Sequence, residues 1–277
     1  MDIYGNLPDK TKDALVLEIN KRIDVFDKTY SRFREDSLVW KISQKSGTYD
    51  FPEDADRLFS IYREMYDITE GLVTPLVGKT ISDMGYDNKY SLKPKEKIDS
   101  SPSWDSVMRY NHPKLTTKEP ILLDFGAAGK GYLIDIVADI IERYGIKTFA
   151  VDAGGDICCR SAGEKTFAIG LENPKDLKEI IGTITLKTGS LCGSAGNRRR
   201  WDKYHHIVNP KTLSSPEKIA ALWIKADTTI LADALSTALF FVEPETARKK
   251  YSFEYAILYS DSSVKVSSAF SGKLFVS

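Results

Sequence analysis

Several ingredients are scarce in this chain of 277 residues. Cysteine occurs only three times, at Cys158, Cys159 and Cys192, without a Cys-x-x-Cys pair. That excludes a disulfide framework and a cysteine-held zinc or redox site. The three read as small core hydrophobes, and free thiols suit a reducing compartment. Net charge is also missing. Lys plus Arg and Asp plus Glu stand at 39 each, so no global field favours nucleic acid or an acidic membrane surface. No apolar run approaches the roughly 20 residues of a membrane helix. The opening MDIYGNLPDK has neither the basic start nor the apolar stretch of a signal peptide. Internal repeats and low-complexity tracts are absent. What is present, 42% hydrophobic residues, suffices for a substantial core.

Apolar residues Leu15, Ile19, Ile23 and Phe26 recur at helical spacing and predict a long amphipathic helix. A second is expected over Asp56 to Gly71, with Gly71 as its C-cap. Leu92 to Lys118, rich in Lys, Pro and Ser, reads as irregular surface with short strands. From Ile121 the pattern changes. ILLDF reads as a short buried strand, GYLIDIVADIIERYG as a helix ending at Gly145, and KTFAVDAGGDICCR as a strand with a glycine turn. TFAIGLE and EIIGTITLKTGS alternate as antiparallel strands do. A third helix is expected from about Thr229 to Val242, and a hairpin around Asp261. Together these predict an α+β fold, one layered domain of mixed, largely antiparallel sheet with flanking helices, over residues 1–277.

Three segments carry chemistry. In LLDFGAAGKGYLID, a carboxylate, three glycines and Lys130 precede a helix. A Walker loop needs four residues between its glycines and a hydroxyl after the lysine. Here Gly126 precedes Gly129-Lys130 by two residues, and Gly131 takes the hydroxyl position, which excludes that loop. Glycines before a helix still let backbone N–H groups approach an anion. In TTILADALSTALFFV, apolar almost all round, Asp233 and Thr237 share one face at i and i+4. A buried carboxylate there needs a Lys or Arg partner or a cation, and two oxygen donors suit magnesium. In RRRWDKYHHIVNPKT, neighbouring His205 and His206 point opposite ways in an extended chain, so they do not chelate one metal. Either is a core histidine or an acid–base group. Arg198 to Arg200 read as a solvated face or as phosphate ligands.

In order, these segments resemble the ApbE family, the FAD:protein FMN transferases. That family reads D-L-G-G-I-A-K-G-Y-x-x-D, matched by Asp124 to Tyr132 with Asp135 in register. Its N-A-G-G-D-I appears as Asp152 to Ile157, its histidine segment as His205 to Thr212, and its A-D-A-L-A-T-A-L as Ala232 to Leu239. Upstream, SRFREDS is similar to S-x-Y-x-x-x-S, and TEGLVTPLVGKTISDMGYD to the T-x-G-A-F-D-P-T segment.

The resemblance implies an ApbE-like fold and magnesium-dependent transfer of FMN from FAD to a Thr or Ser hydroxyl of an acceptor flavoprotein, releasing AMP. It implies Mg2+ held by the Ala127 carbonyl, Asp233 and Thr237. Phe33, Leu72, Val73, Thr74, Asp124, Lys130 and Val208 would contact FAD, and His206 would assist proton transfer. FAD pyrophosphatase activity and non-catalytic FAD binding are the alternatives. Neither nucleic acid nor a membrane span is expected as partner.

The departures are specific. Family members open with a strand bearing Met-Gly-Thr, whereas this chain starts near that strand's end. Thr74 and Asn209 stand where aspartates are usual, and Leu213 where a turn glycine is. Two fewer carboxylates put more of the charge neutralisation on Asp233. Many members are exported lipoproteins. The free thiols and the absent signal make a cytoplasmic location the expectation, with a cell-envelope protein whose signal and lipobox have been removed as the alternative.

Overall fold

The computed structural model describes residues 1–275. In chain order, β1 (Asp2–Ile3), α1 (Asp9–Tyr30), α2 (Leu38–Gln44), β2 (Gly47–Asp50) and α3 (Ala55–Ile68) lead to a 3-10 turn at Pro75–Val77. Then come α4 (Gly78–Asp83), α5 (Trp104–Val107), β3 (Met108–Asn111), β4 (Lys114–Thr117) and α6 (Gly129–Arg143). Strands β5 (Thr148–Ala153), β6 (Asp156–Ser161), β7 (Phe167–Asn173), β8 (Asp176–Leu186) and β9 (Gly189–Ala195) follow in succession. The chain ends through β10 (Arg200–Trp201), β11 (Tyr204–His205), β12 (Ile219–Ala226), α7 (Thr229–Ala238), α8 (Pro244–Arg248), β13 (Glu254–Tyr259), β14 (Val264–Val266) and β15 (Lys273–Leu274).

The main sheet has seven strands in the order β1-β5-β6-β9-β12-β13-β14, and every neighbouring pair is antiparallel. Strand periodicity explains its layering. Along β12, Leu222 and Ile224 enter one apolar cluster while Ala221 and Trp223 enter another. On β13, Tyr255 and Ile257 join the first cluster, Ala256 and Leu258 the second. Both faces of the sheet are therefore buried. One face carries α7, whose Ile230, Ala234 and Leu235 belong to the first cluster. The other is covered by a three-stranded sheet, β15-β8-β7, through Leu171, Ile181, Ile184 and Leu186. Helix α1 packs Leu15 and Ile19 against Ile134, Val137 and Ile141 of α6. The small sheet β2-β4-β3 stands beside α3, where the Phe59 and Tyr110 rings stack at 3.9 Å.

The expected α+β architecture is present, with local corrections. ILLDF is buried and extended but forms no strand. Its amides turn to carbonyls of helical segments, Ile121 N to Ile42 O of α2 and Asp124 N to Pro75 O of the 3-10 turn (2.7 Å), so these amides join no strand ladder. KTFAVDAGGDICCR is two strands, β5 and β6, joined at Gly154 and Gly155 (φ 68° and 94°), the positive angles a two-residue hairpin requires. Helix α7 stops at Ala238 instead of reaching Val242, because Phe240 N bonds back three residues to Thr237 O and the helix tightens into a turn. Helix α2, in SLVWKISQ, has no counterpart among the sequence expectations. It is seven residues long, too short to show a period, and its start is capped by the Ser37 hydroxyl.

Candidate active site

Two helices from distant parts of the chain meet at the glycine turn. Asp135, in the middle of α6, is buried and accepts from Thr229 N (2.8 Å) and Ile230 N (3.0 Å), satisfying the free amides that open α7. At the start of α6, Gly131 N donates to Asp233 Oδ2 (2.8 Å). A Cβ on Gly131 would stand 2.7 Å from Asp233 Cβ, so only glycine lets the helices approach this closely. Asp233 is 5% exposed, and among the described residues no Lys or Arg forms an ion pair with it. Lys130 instead lies 2.8 Å from Asp156 Oδ2, a charge contact without hydrogen-bond alignment. Asp156 is itself buried and accepts from Gly193 N (3.3 Å).

This cluster is short of positive charge, with one lysine for two buried carboxylates. Burial, then repulsion from Asp156, holds the Asp233 carboxyl well above the usual range. Burial also raises Asp156, against the pull of Lys130. For Lys130, burial acts downward, but Asp156 and Asp233 outweigh it and the ammonium is favoured. A site that retains protons because it lacks a counter-charge is receptive to a cation.

Beside this cluster opens a cavity of about 430 Å³. Its wall contains Phe33, Leu72, Val73, Thr74, Asp124, Ala127, Lys130, His206, Val208 and Thr237. Asp233 is not part of the wall. It lies one turn behind Thr237, under the Gly129–Gly131 turn. A larger groove of about 710 Å³, lined by Arg22, Asp54, Arg57 and Asp139 among others, runs between α1 and α6 and contains none of these residues. Among the described residues no group of three or more His, Cys, Asp or Glu side chains is arranged to hold a metal ion. A cation here would rely on one carboxylate, a hydroxyl and a backbone carbonyl.

Several individual environments matter. Both Asp124 oxygens are engaged, Oδ1 by Gly126 N (2.7 Å) and Oδ2 by Arg32 Nε (2.5 Å). Tyr62 accepts from Ala127 N (3.0 Å) and fixes the turn from the α3 side. His206 faces the cavity with Nδ1 buried and unpartnered among the described residues. Burial, with Arg199 and His205 adding repulsion, lowers its pKa to about 4, so the ring is neutral at pH 7. His205 points the other way, its Nε2 against Pro216 O (2.9 Å), as the extended backbone demands. The basic run divides: Arg198 pairs with Glu172 (2.6 Å), Arg199 lines the cavity and Arg200 is exposed in β10. All three cysteines are buried free thiols.

The departures from the family pattern acquire physical reasons. Thr74 Oγ1 accepts from Leu76 N (3.2 Å) and caps the 3-10 turn. Asn209 Oδ1 accepts from Lys211 N (2.9 Å) and Thr212 N (3.0 Å). Both side chains are occupied in capping, which asparagine and threonine perform as aspartate does. Leu213 adopts φ 58°, the left-handed conformation a turn glycine would take without strain.

The places of Arg32 and Asp156 in the site are not legible in the sequence. Arg32 lies within a quoted motif but at one of its unspecified positions, and only the fold brings it to Asp124, 92 positions away. Asp156 closes the glycine hairpin, and its contact with Lys130 is equally non-local.

An antiparallel α+β fold frames a cavity at the glycine turn, bordered by Lys130, Arg199, His206 and the Phe33 and Tyr86 rings, a setting with both charge and flat apolar surface. The chain belongs to the ApbE family, whose model matches residues 3–256. It is 21% identical over 261 residues to the FAD:protein FMN transferase of Escherichia coli (strain K12), covering 87% of this chain and 74% of that protein. To the FAD:protein FMN transferase of Haemophilus influenzae it is 23% identical over 287 residues, covering 93% and 81%. Among solved structures, the flavin transferase ApbE from Vibrio cholerae superimposes with a TM-score of 0.76 at 19% identity, covering 97% of this chain and 91% of that one. The ApbE protein from Thermotoga maritima gives 0.78 at 23% identity, with 96% and 91% covered.

Proposed function

We propose that this protein is a flavin transferase that moves FMN from FAD to a Thr or Ser hydroxyl of an acceptor flavoprotein, with magnesium, and releases AMP. The observation that carries this reading is the Gly131–Asp233 hydrogen bond, which sets a buried carboxylate without an ion-pair partner among the described residues directly behind the cavity wall at Ala127, Lys130 and Thr237. Ala127 O, the Asp233 carboxylate and the Thr237 hydroxyl are the residues that would hold magnesium; all are oxygen donors, as that ion prefers. When bound, the ion supplies neutralisation of phosphate charge.

The remaining work falls to this chain's side chains. Lys130 and Arg199 border the cavity and counter pyrophosphate charge. His206, neutral at pH 7 and facing the cavity, accepts the proton of the acceptor hydroxyl on its imidazole. The hydroxyl oxygen forms a new bond to the FMN phosphorus as the bond to the AMP oxygen breaks, and AMP leaves with the electron pair. Such transfers depend on positioning and charge more than on covalent chemistry. Leu72, Val73 and Val208 supply apolar wall for the dinucleotide.

The cavity draws residues from Phe26 to Phe241, which supports treating the chain as one catalytic unit. The free thiols support a cytoplasmic location as part of the same reading. Among the described residues no helix is long and apolar enough to cross a membrane.

Incubation of the protein with FAD, magnesium and a flavoprotein acceptor tests the proposal. In-gel flavin fluorescence on the acceptor supports it. Free AMP and FMN with an unlabelled acceptor would replace it with FAD pyrophosphatase activity, and intact bound FAD would reduce it to binding.

A further inference from the structure

Arg32 is the most completely enclosed cation on the cavity wall, 3% exposed. Its guanidinium stands 4.1 Å from the centroid of Phe33 and 5.1 Å from that of Tyr86, so aromatic rings strip water from its faces. Nε donates to Asp124. Nη2 is buried and has no hydrogen-bond partner among the described residues. A buried donor left unmade costs about 1–3 kcal/mol, so a side chain held this firmly with an open donor marks a place for a ligand acceptor.

The kind of acceptor follows from the charge. Asp124 already answers the guanidinium charge at 2.5 Å, and the pair together presents little net field. A phosphate would find stronger attraction at Arg199, which lines the cavity and forms no ion pair among the described residues, whereas Lys130 is already matched by Asp156 at 2.8 Å. The surroundings of Arg32 are flat and apolar instead. Phe33 and Tyr90 stack at 5.2 Å and 9°, and Tyr86 meets Phe33 edge-on at 5.6 Å. A single strong donor beside aromatic walls fits a planar, uncharged acceptor, such as a ring nitrogen or a ring carbonyl.

We infer that Arg32 is a specificity-determining residue that donates from Nη2 to the acceptor edge of a heteroaromatic ring of the dinucleotide, not to its phosphates. The inference rests on the flavin-transferase reading, because FAD supplies such rings at both ends, adenine and isoalloxazine. Asp124 acts with it as the group that orients the guanidinium.

The test is a comparison of wild type with Arg32→Lys, which keeps a cation against Asp124 but lacks the planar second donor. Affinities for FAD, AMP, FMN and inorganic pyrophosphate are measured by calorimetry. The expected result is a loss of about 10- to 100-fold for FAD and for one of AMP or FMN, with pyrophosphate within about threefold. In turnover, the loss falls chiefly on KM for FAD. Equal losses for pyrophosphate and both nucleotides, or no loss for any of the four ligands, would overturn the inference. Competition on the wild-type protein gives a second measurement, independent of whether the variant folds. Adenosine or riboflavin, which carry no phosphate, should displace FAD with an affinity insensitive to salt. Displacement by neither would equally overturn it. If the wild type fails to bind FAD at all, the transferase reading itself fails; if it binds FAD and Arg32→Lys is indifferent, only the Arg32 assignment does.

Discussion

The amide of Gly131 donates to the carboxylate of Asp233 across 102 positions of sequence, joining the first turn of α6 to the middle of α7. This contact brings the glycine turn and the carboxylate helix into one place. It is made possible by the missing side chain at 131 and steadied by Asp135, which binds the opening amides of α7.

Gly131→Ala should destabilise the fold by about 1–3 kcal/mol, since the added methyl overlaps Asp233 and the helices must part. Urea unfolding of both proteins checks this. An unchanged midpoint would show that the two helices are less tightly fitted than described.

Asp135→Ala removes a buried carboxylate that accepts two helix-opening amides and an Arg57 contact of 3.0 Å. Loss of a cap costs about 0.5–2 kcal/mol, and stranding buried amides adds to it. A loss of about 3 kcal/mol is expected, with turnover falling alongside because α7 carries Asp233 and Thr237. Full activity in a destabilised variant would separate α7's anchoring from catalysis.

His206 supplies a pH prediction. Its native pKa is lowered to about 4 from 6.5 by burial first and then by neighbouring cations, so between these values the unfolded chain binds more protons than the native one. Stability linked to the neutral ring is fully present above pH 6.5 and is lost as pH falls towards 4. Relative to His206→Gln, wild type should lose up to about 3 kcal/mol across that window. Urea midpoints of the two proteins at pH 7, 5.5 and 4.5 report the difference. A constant difference would contradict the buried, neutral imidazole.

Asn209→Asp should leave stability within about 0.5 kcal/mol and FAD affinity within about threefold, because the side chain is engaged in capping Lys211 N and Thr212 N. A large gain in FAD affinity would restore a direct charge role for that position.

Much of this arrangement was legible from local pattern. The periodicities of α1 and α6, the hairpin at Asp261 and the unusual Asp233 in an apolar helix are all features of short windows. Periodicity says nothing of which elements meet, so the Lys130–Asp156 pair and the Arg32–Asp124 pair stayed hidden. ILLDF misled because a continuous apolar run fits a buried strand and a buried loop equally well, and only its hydrogen-bond partners distinguish them. The capping roles of Thr74 and Asn209 stayed hidden because a sequence records the residue type but not the amide it caps.

The central claim is that Asp233 anchors a divalent cation on which flavin transfer depends. Asp233→Asn keeps the shape of the side chain and an acceptor for Gly131 N while removing the charge. Magnesium titrations of flavin transfer, read as fluorescent acceptor and released AMP, compare it with wild type, with chelator as the metal-free control. The account predicts a wild type that is silent in chelator and restored by magnesium, and a folded variant slower by about 100-fold or more at any magnesium concentration. A variant with wild-type turnover and an unshifted magnesium dependence would contradict it.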